Sequence, residues 1–294
     1  MASARIFELP YCGAPPDPAA IWTHWRLDPV VLGVLLGCWL LYVAGRARLV
    51  RNGPAAAGGW RSVAFHSGWV IATLALVSPL CPLSVSLFAA RAAQHVVLTL
   101  VAAPLIAAAS PWNAMFSALH VEPSWLARAR SGAGRALSNA PLLAAGAFAA
   151  LVWTWHAPGP YALTFSSVPL YWLMHLSLFA SALWLWTALL HGAQTSVPAG
   201  LLASVASSVQ MGLLGALITL SPRPFYAPHF LTTEAWGYTP LQDQQLGGVI
   251  MWVPGCTVFL VVAMIVLARC LAGSAQRDQR TGTAAARAAG VAAQ

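Results

Sequence analysis

Seven apolar runs, each close to the length that crosses a bilayer, constrain this chain more than any other feature; they cover residues 29–45, 62–80, 91–109, 141–157, 169–191, 200–220 and 246–268. A membrane's hydrocarbon core takes roughly 20 residues per helical pass. In lipid a helix satisfies its own backbone, which an open strand cannot do. Hydrophobic residues make up 59% of the 294 and charged residues only 7%, against about a quarter charged in a soluble domain. So little charge cannot cover a water-facing surface of this size. The expected fold is an all-α membrane protein, a bundle of about seven transmembrane helices.

The breaks carry the punctuation such a reading requires. Arg46, Arg48 and Arg51 with Gly53-Pro54 and Gly58-Gly59 end the first run, and Pro79 and Pro82 the second. Pro111 closes the third and Pro158-Gly159-Pro160 the fourth. The chain divides into an outer N-terminal segment 1–28, a transmembrane domain 29–268 and an Ala-, Gly- and Arg-rich tail 269–294, expected to be cytoplasmic and disordered. Residues 1–28 hold Pro10, Pro15, Pro16 and Pro18 but no basic start followed by an apolar core. No cleaved signal is expected, and the first helix acts as the insertion signal.

All fifteen basic residues are Arg. With the N-terminus outside, Arg5, Arg26, Arg91 and Arg223 lie outside, four against eleven inside: Arg46, Arg48, Arg51, Arg61, Arg128, Arg130, Arg135, Arg269, Arg277, Arg280 and Arg287. That bias predicts N-out, C-in, which an odd number of spans satisfies. The net charge of +8 does not point to nucleic acid, because the Arg sit in loops and form no stripe interleaved with aromatics. The fourteen Trp include many at run ends, as an interfacial belt requires.

On this topology His95, His156 and His175 fall on three successive helices at one depth, near the outer face. Imidazole ligates copper, zinc or iron, and three neutral rings leave one coordination position open. A thioether from Met174 or Met251 would soften the site towards Cu(I). Gln94 and the run Asp243-Gln244-Gln245 would support the ligands, and His229, in the outer connection 221–246, could fold over them as a lid. The alternative is that each His only bonds a neighbouring helix, since sequence shows depth but not facing direction. His66, His191, His24 and His120 lie away from this level. Arg91, one turn before His95, would anchor at headgroups or pair with Asp243. Cys12 and Cys81 share the outer side and could pair or bind metal, but are expected to stay unpaired, with Cys38, Cys256 and Cys270 scattered elsewhere. No nucleophile elbow, phosphate loop or HExxH is present, so no enzymatic activity is expected.

Three stretches then point to a family. RAAQHVVLTLVAAPLIAAASP at 91–111, WHAPGPYALTFSSVPLYWLMHLSLFASALWLW at 155–186, and the pair GALITLSPRPFYAPH at 215–229 and LQDQQLGGVIMWVPG at 241–255 resemble the multi-span CtaG-type cytochrome c oxidase assembly factors of bacteria. The resemblance implies an inner-membrane factor for a haem-copper oxidase, with oxidase subunits and lipid as partners and copper as cargo. It carries over to His95, His156 and His175, and to Asp243, Gln244, Gln245, Met251 and Trp252. The sequence departs from the family pattern where a second His, one turn before the first, is followed by Met; here those positions are Arg91 and Ala92. A haem-binding protein, a metal-free assembly scaffold and a small transporter remain as alternatives. Haem ligation would use the same imidazoles, whereas the inner helix halves offer few groups to line a transport path.

Overall fold

The structure is a computed structural model and describes residues 10–52, 59–119, 140–191 and 197–292. Arg5, Arg128, Arg130, Arg135 and His120 lie outside these residues, as do the breaks Gly53-Pro54 and Gly58. Among the described residues the secondary structure is helical, without strands. A 3-10 turn, Pro18–Thr23, precedes α1, Pro29–Asn52. α2, Gly59–Val77, and α3, Leu80–Ser86, are bent by 46° at Ser78-Pro79. There follow α4, Phe88–Ala109, α5, Trp112–Ala118, and α6, Pro141–His156. A short α7, Pro158–Ser166, leads into α8, Val168–His191, and α9, Val197–Thr219. The outer connection contains 3-10 turns at Ala227–His229 and Glu234–Trp236, and α10 runs Pro240–Ala292.

Five segments are long and apolar enough to cross a membrane: Pro29–Arg51, Phe88–Ala109, Val168–Leu190, Val197–Thr219 and Pro240–Ala268. The bent pair α2 and α3 passes the same test jointly, and α6 is apolar but shorter. The 158–160 triplet does end α6, yet it also starts α7, because Pro158 sits at the first helical position, where a missing N–H costs nothing. Leu and Val are exposed along α1, α9 and α10, while Ala203, Gly212 and Gly215 of α9 and Gly247, Gly248, Gly255 and Ala263 of α10 are buried, as expected of a bundle whose outside is apolar and whose contacts favour close packing.

α4 carries the segment 88–109, and its start is held by an acid from another helix. Asp243, in the first turn of α10, accepts the N–H of Phe88 at 2.7 Å and of Ala89 at 3.0 Å. A helix start leaves such N–H groups without intrahelical partners, and a carboxylate there also complements the helix dipole. Two glycines allow the approach. A Cβ on Gly247 would overlap the Phe88 ring and lie 3.1 Å from Ala89 Cα; one on Gly248 would lie 2.9 Å from Thr219 N. Gln244, between these, accepts the N–H of Phe225 and donates to the carbonyls of Ile218 and Arg223, both at 3.2 Å, so it fastens the outer connection.

Three expectations change here. Asp243 does not pair with Arg91, since both its oxygens are used at the start of α4. Arg91 is not a headgroup anchor either: it is 1% exposed, donates to Thr164 Oγ1 at 2.8 Å and lies 4.0 Å over the Phe165 ring. Burial won because α7 supplies aromatic faces to the guanidinium. Cys12 and Cys81, expected to stay unpaired, form a disulfide. Tyr11 explains the approach: it stacks on Tyr171 at 4.8 Å and meets Trp172 edge-on at 4.9 Å, which brings the N-terminal segment against the bundle.

Replacing Asp243 by Ala strands two buried N–H groups and is expected to cost about 2–4 kcal/mol, with Asp243→Asn roughly half as damaging because one oxygen remains. Unfolding in detergent measures both; equal stability of Asp243→Ala and wild type would refute the cap's role.

Candidate functional site

α4 is not a uniform helix. Val97–Ala102 opens into a π turn directly after His95, and Pro104 gives the cause. Without an N–H it cannot bond the carbonyl of Leu100, and its ring crowds that carbonyl, so the preceding turn widens. The loosened polar groups find partners: Trp186 Nε1 donates to Thr99 O at 2.8 Å, and Thr99 Oγ1 donates to His95 O at 2.7 Å. A π turn is a common device for aiming a functional side chain.

His95 is thereby aimed at two other imidazoles. Its ring centre lies 5.8 Å from that of His156, at the end of α6, and 5.2 Å from that of His175, in the second turn of α8. All three are buried, 6%, 6% and 4% exposed respectively. His156 Nδ1 donates to Val152 O at 2.7 Å and His175 Nδ1 to Tyr171 O at 3.0 Å, each to the carbonyl one turn back on its own helix. With Nδ1–H so committed, a neutral ring keeps its lone pair on Nε2. The same arrangement orients metal-binding histidines generally.

Two features mark this place as electron-rich and short of donors. Neither ring nitrogen of His95 has a hydrogen-bond partner, which is costly for a buried polar group. Gln94 Nε2 donates to Ala75 O at 2.7 Å, which turns Oε1 towards His175 Nε2 at 3.4 Å. Two lone-pair atoms therefore face each other. A proton or a metal cation between them would turn that opposition into attraction. As they stand, however, no three His, Cys, Asp or Glu side chains among the described residues are placed to hold one metal ion.

The remaining predicted residues have other positions. Met174 and Met251 are buried in the main apolar core. Asp243 and Gln244 hold helix and loop together rather than touching the rings. His229 is buried in the outer connection, where its Nε2 meets Tyr161 Oη at 2.6 Å, and it is separated from His156 by the Phe88 ring. His66 bonds Ser62 O at 2.7 Å near Tyr42, in a separate cluster, and His24 is exposed. Sequence reasoning missed Tyr171, whose carbonyl fixes His175 and whose ring lies 4.3 Å from it. The signal was its place four residues before His175, one turn back on the same face.

The outer connection is held over this region by a neutral histidine. Burial first, and then the charge of Arg91, push the His229 imidazole down from its ordinary 6.5 to about 3. A depressed folded value means that unfolding takes up a proton below about 6.5. The stability His229 contributes is whole above that pH and is lost as pH falls towards 3.

The family model described as cytochrome c oxidase caa3 assembly factor (Caa3_CtaG) matches residues 40–272. The match covers well over half of the chain and includes all three imidazoles, and the chain belongs to that family. No curated protein and no solved structure matches it.

For His229→Phe, the decline of the unfolding midpoint between pH 6.5 and 4 is expected to be shallower than in wild type. Parallel curves would show that His229 contributes nothing to acid sensitivity.

Proposed function

We propose that this member of the cytochrome c oxidase caa3 assembly factor family binds copper(I) at His95, His156 and His175 and passes it to the oxidase's catalytic subunit near the periplasmic face of the bacterial inner membrane. One observation carries the reading: His95, buried with both ring nitrogens unpartnered, has two further imidazoles beside it. The ring spacing supports it. A bond of about 2.0–2.1 Å plus about 1.1 Å from nitrogen to ring centre puts each centre roughly 3.2 Å from an ion. Two such rings at tetrahedral or trigonal angles then stand about 5.2–5.5 Å apart, close to the separations of 5.2 and 5.8 Å found. Gln94 Oε1 adds a neutral oxygen beside His175.

The membrane setting follows from the same reading. We take the five spans, the bent pair and α6 as seven crossings, with the N-terminus outside in keeping with the Arg bias. The cluster then lies in the outer half of the bilayer. A cation held there by neutral ligands need not cross the apolar centre to reach a partner's site at similar depth. The chain's own work is to strip water from the ion, fix two rings through carbonyl bonds and present a third that has no competing partner.

Replacing His95, His156 and His175 together with Ala is expected to remove one copper(I) per chain from the purified protein and to lower the copper content and activity of the oxidase in cells. Unchanged copper stoichiometry with a normal oxidase would overturn the reading.

A further inference from the structure

Beside the imidazoles lies a second pair of soft donors. Cys12 and Cys81 are buried, 5% and 0% exposed, and are joined across a sequence separation of 69. The Tyr171 hydroxyl touches both sulfurs, at 3.3 Å to Cys12 and 3.7 Å to Cys81. The ring of the same tyrosine lies 4.3 Å from His175, and its carbonyl accepts from that histidine. One residue therefore separates the sulfur pair from the imidazole cluster. Cys12 lies outside the stretch matched by the family model, residues 40–272.

Charge supplies an independent observation. Arg91 is buried, its Nε has no partner among the described residues, and its Nη1 donates to a neutral hydroxyl, that of Thr164. The buried acid Asp243 is committed to backbone N–H groups. A buried cation without a counter-charge is costly. Its guanidinium lies 5.8 Å from the Tyr171 ring, and a second guanidinium, Arg26, lies 4.8 Å over Tyr11, the neighbour of Cys12.

We propose that Cys12 and Cys81, in the dithiol state, form a copper(I) site at the outer edge of the imidazole cluster, and that closure of the disulfide releases the ion towards His175. This rests on the copper reading of the cluster. A dithiol of the thiol–disulfide oxidoreductase class opens the bridge: it gives two electrons and two protons, becomes a disulfide, and leaves two cysteine thiols. Copper(I) displaces both protons and binds the two thiolates. The unit carries one net negative charge, the counter-charge that Arg91 lacks, and thiolate is the ligand type that selects copper(I). In the release step a disulfide of the same protein class accepts two electrons from the sulfurs and two protons from the medium. The bond between Cys12 and Cys81 forms again, and copper leaves still in the +1 state. The chain near Cys12 becomes exposed at Ala14 and Pro15.

The test uses the purified full chain in detergent without oxygen, either oxidised or reduced by a phosphine that is then removed, and titrated with copper(I) against a chromogenic chelator. The reduced protein is expected to take up one more copper(I) per chain than the oxidised, with copper–sulfur scattering in X-ray absorption, and to lose that copper on treatment with a thiol oxidant. Cys12→Ser is expected to abolish only this increment; if that variant does not fold, alkylating the reduced wild type serves instead. The variant with all three His replaced by Ala is expected to keep the increment. Equal uptake in the two redox states, or an increment that survives both Cys12→Ser and alkylation, overturns the proposal. The imidazole reading fails separately, if the oxidised protein binds no copper that the three His replacements remove.

Discussion

The contact between Asp243 and the start of α4 sets the geometry on which the imidazole cluster depends. Its two oxygens take the N–H groups of Phe88 and Ala89, and so fix the depth at which Arg91, Gln94 and His95 enter the bundle. The glycines one turn further along α10 let the two helices come close enough for that bond to form. Neither part works alone. A carboxylate without the glycines would be held too far away, and the close packing without the carboxylate would bury two unsatisfied donors. Gln244 then binds the connection between α9 and α10 to the same helix turn, so one turn of α10 organises both the start of α4 and that connection.

From that fixed start, the π turn before Pro104 aims His95 at its neighbours. The other two rings are set more simply, each by a bond from Nδ1 to the carbonyl four residues earlier. The cluster thus combines two rings whose orientation is spent and one whose nitrogens are free. Such an arrangement suits a site that accepts and gives up a ligand: two members hold position while the third adjusts.

Much of the architecture was legible in the sequence because hydrophobic length is a local property. The runs at 91–109, 169–191, 200–220 and 246–268 each fall on a helix able to cross a membrane. The placing of the three histidines on separate helices was legible for the same reason. Their convergence was not. It depends on the π turn and on how α4, α6 and α8 are rotated, which arise from packing between segments far apart in the chain. Asp243 shows the same limit. The sequence marked it as a support for the ligands or a partner for Arg91, and only the fold shows it satisfying backbone. The disulfide was hidden because nothing local to Cys12 or Cys81 specifies the other; the aromatic stack of Tyr11 on Tyr171 brings them together.

Arg91 gives the cluster an electrostatic character that ligand identity alone would not. It stands one turn outward from His95 on the same helix, where the family pattern it resembles places a histidine. A guanidinium there cannot ligate a cation; it raises the local potential instead. Coulomb repulsion scales with the charge of the ion, so a divalent ion is penalised about twice as much as a monovalent one at the same place. On the copper reading, the exchange of a ligand for a fixed charge biases the cluster towards the +1 ion and weakens its grip on it. Such a bias favours transfer over storage. On the copper reading, the buried guanidinium that the sequence offered as a headgroup anchor or a partner of Asp243 acts instead on the oxidation state held by the three imidazoles.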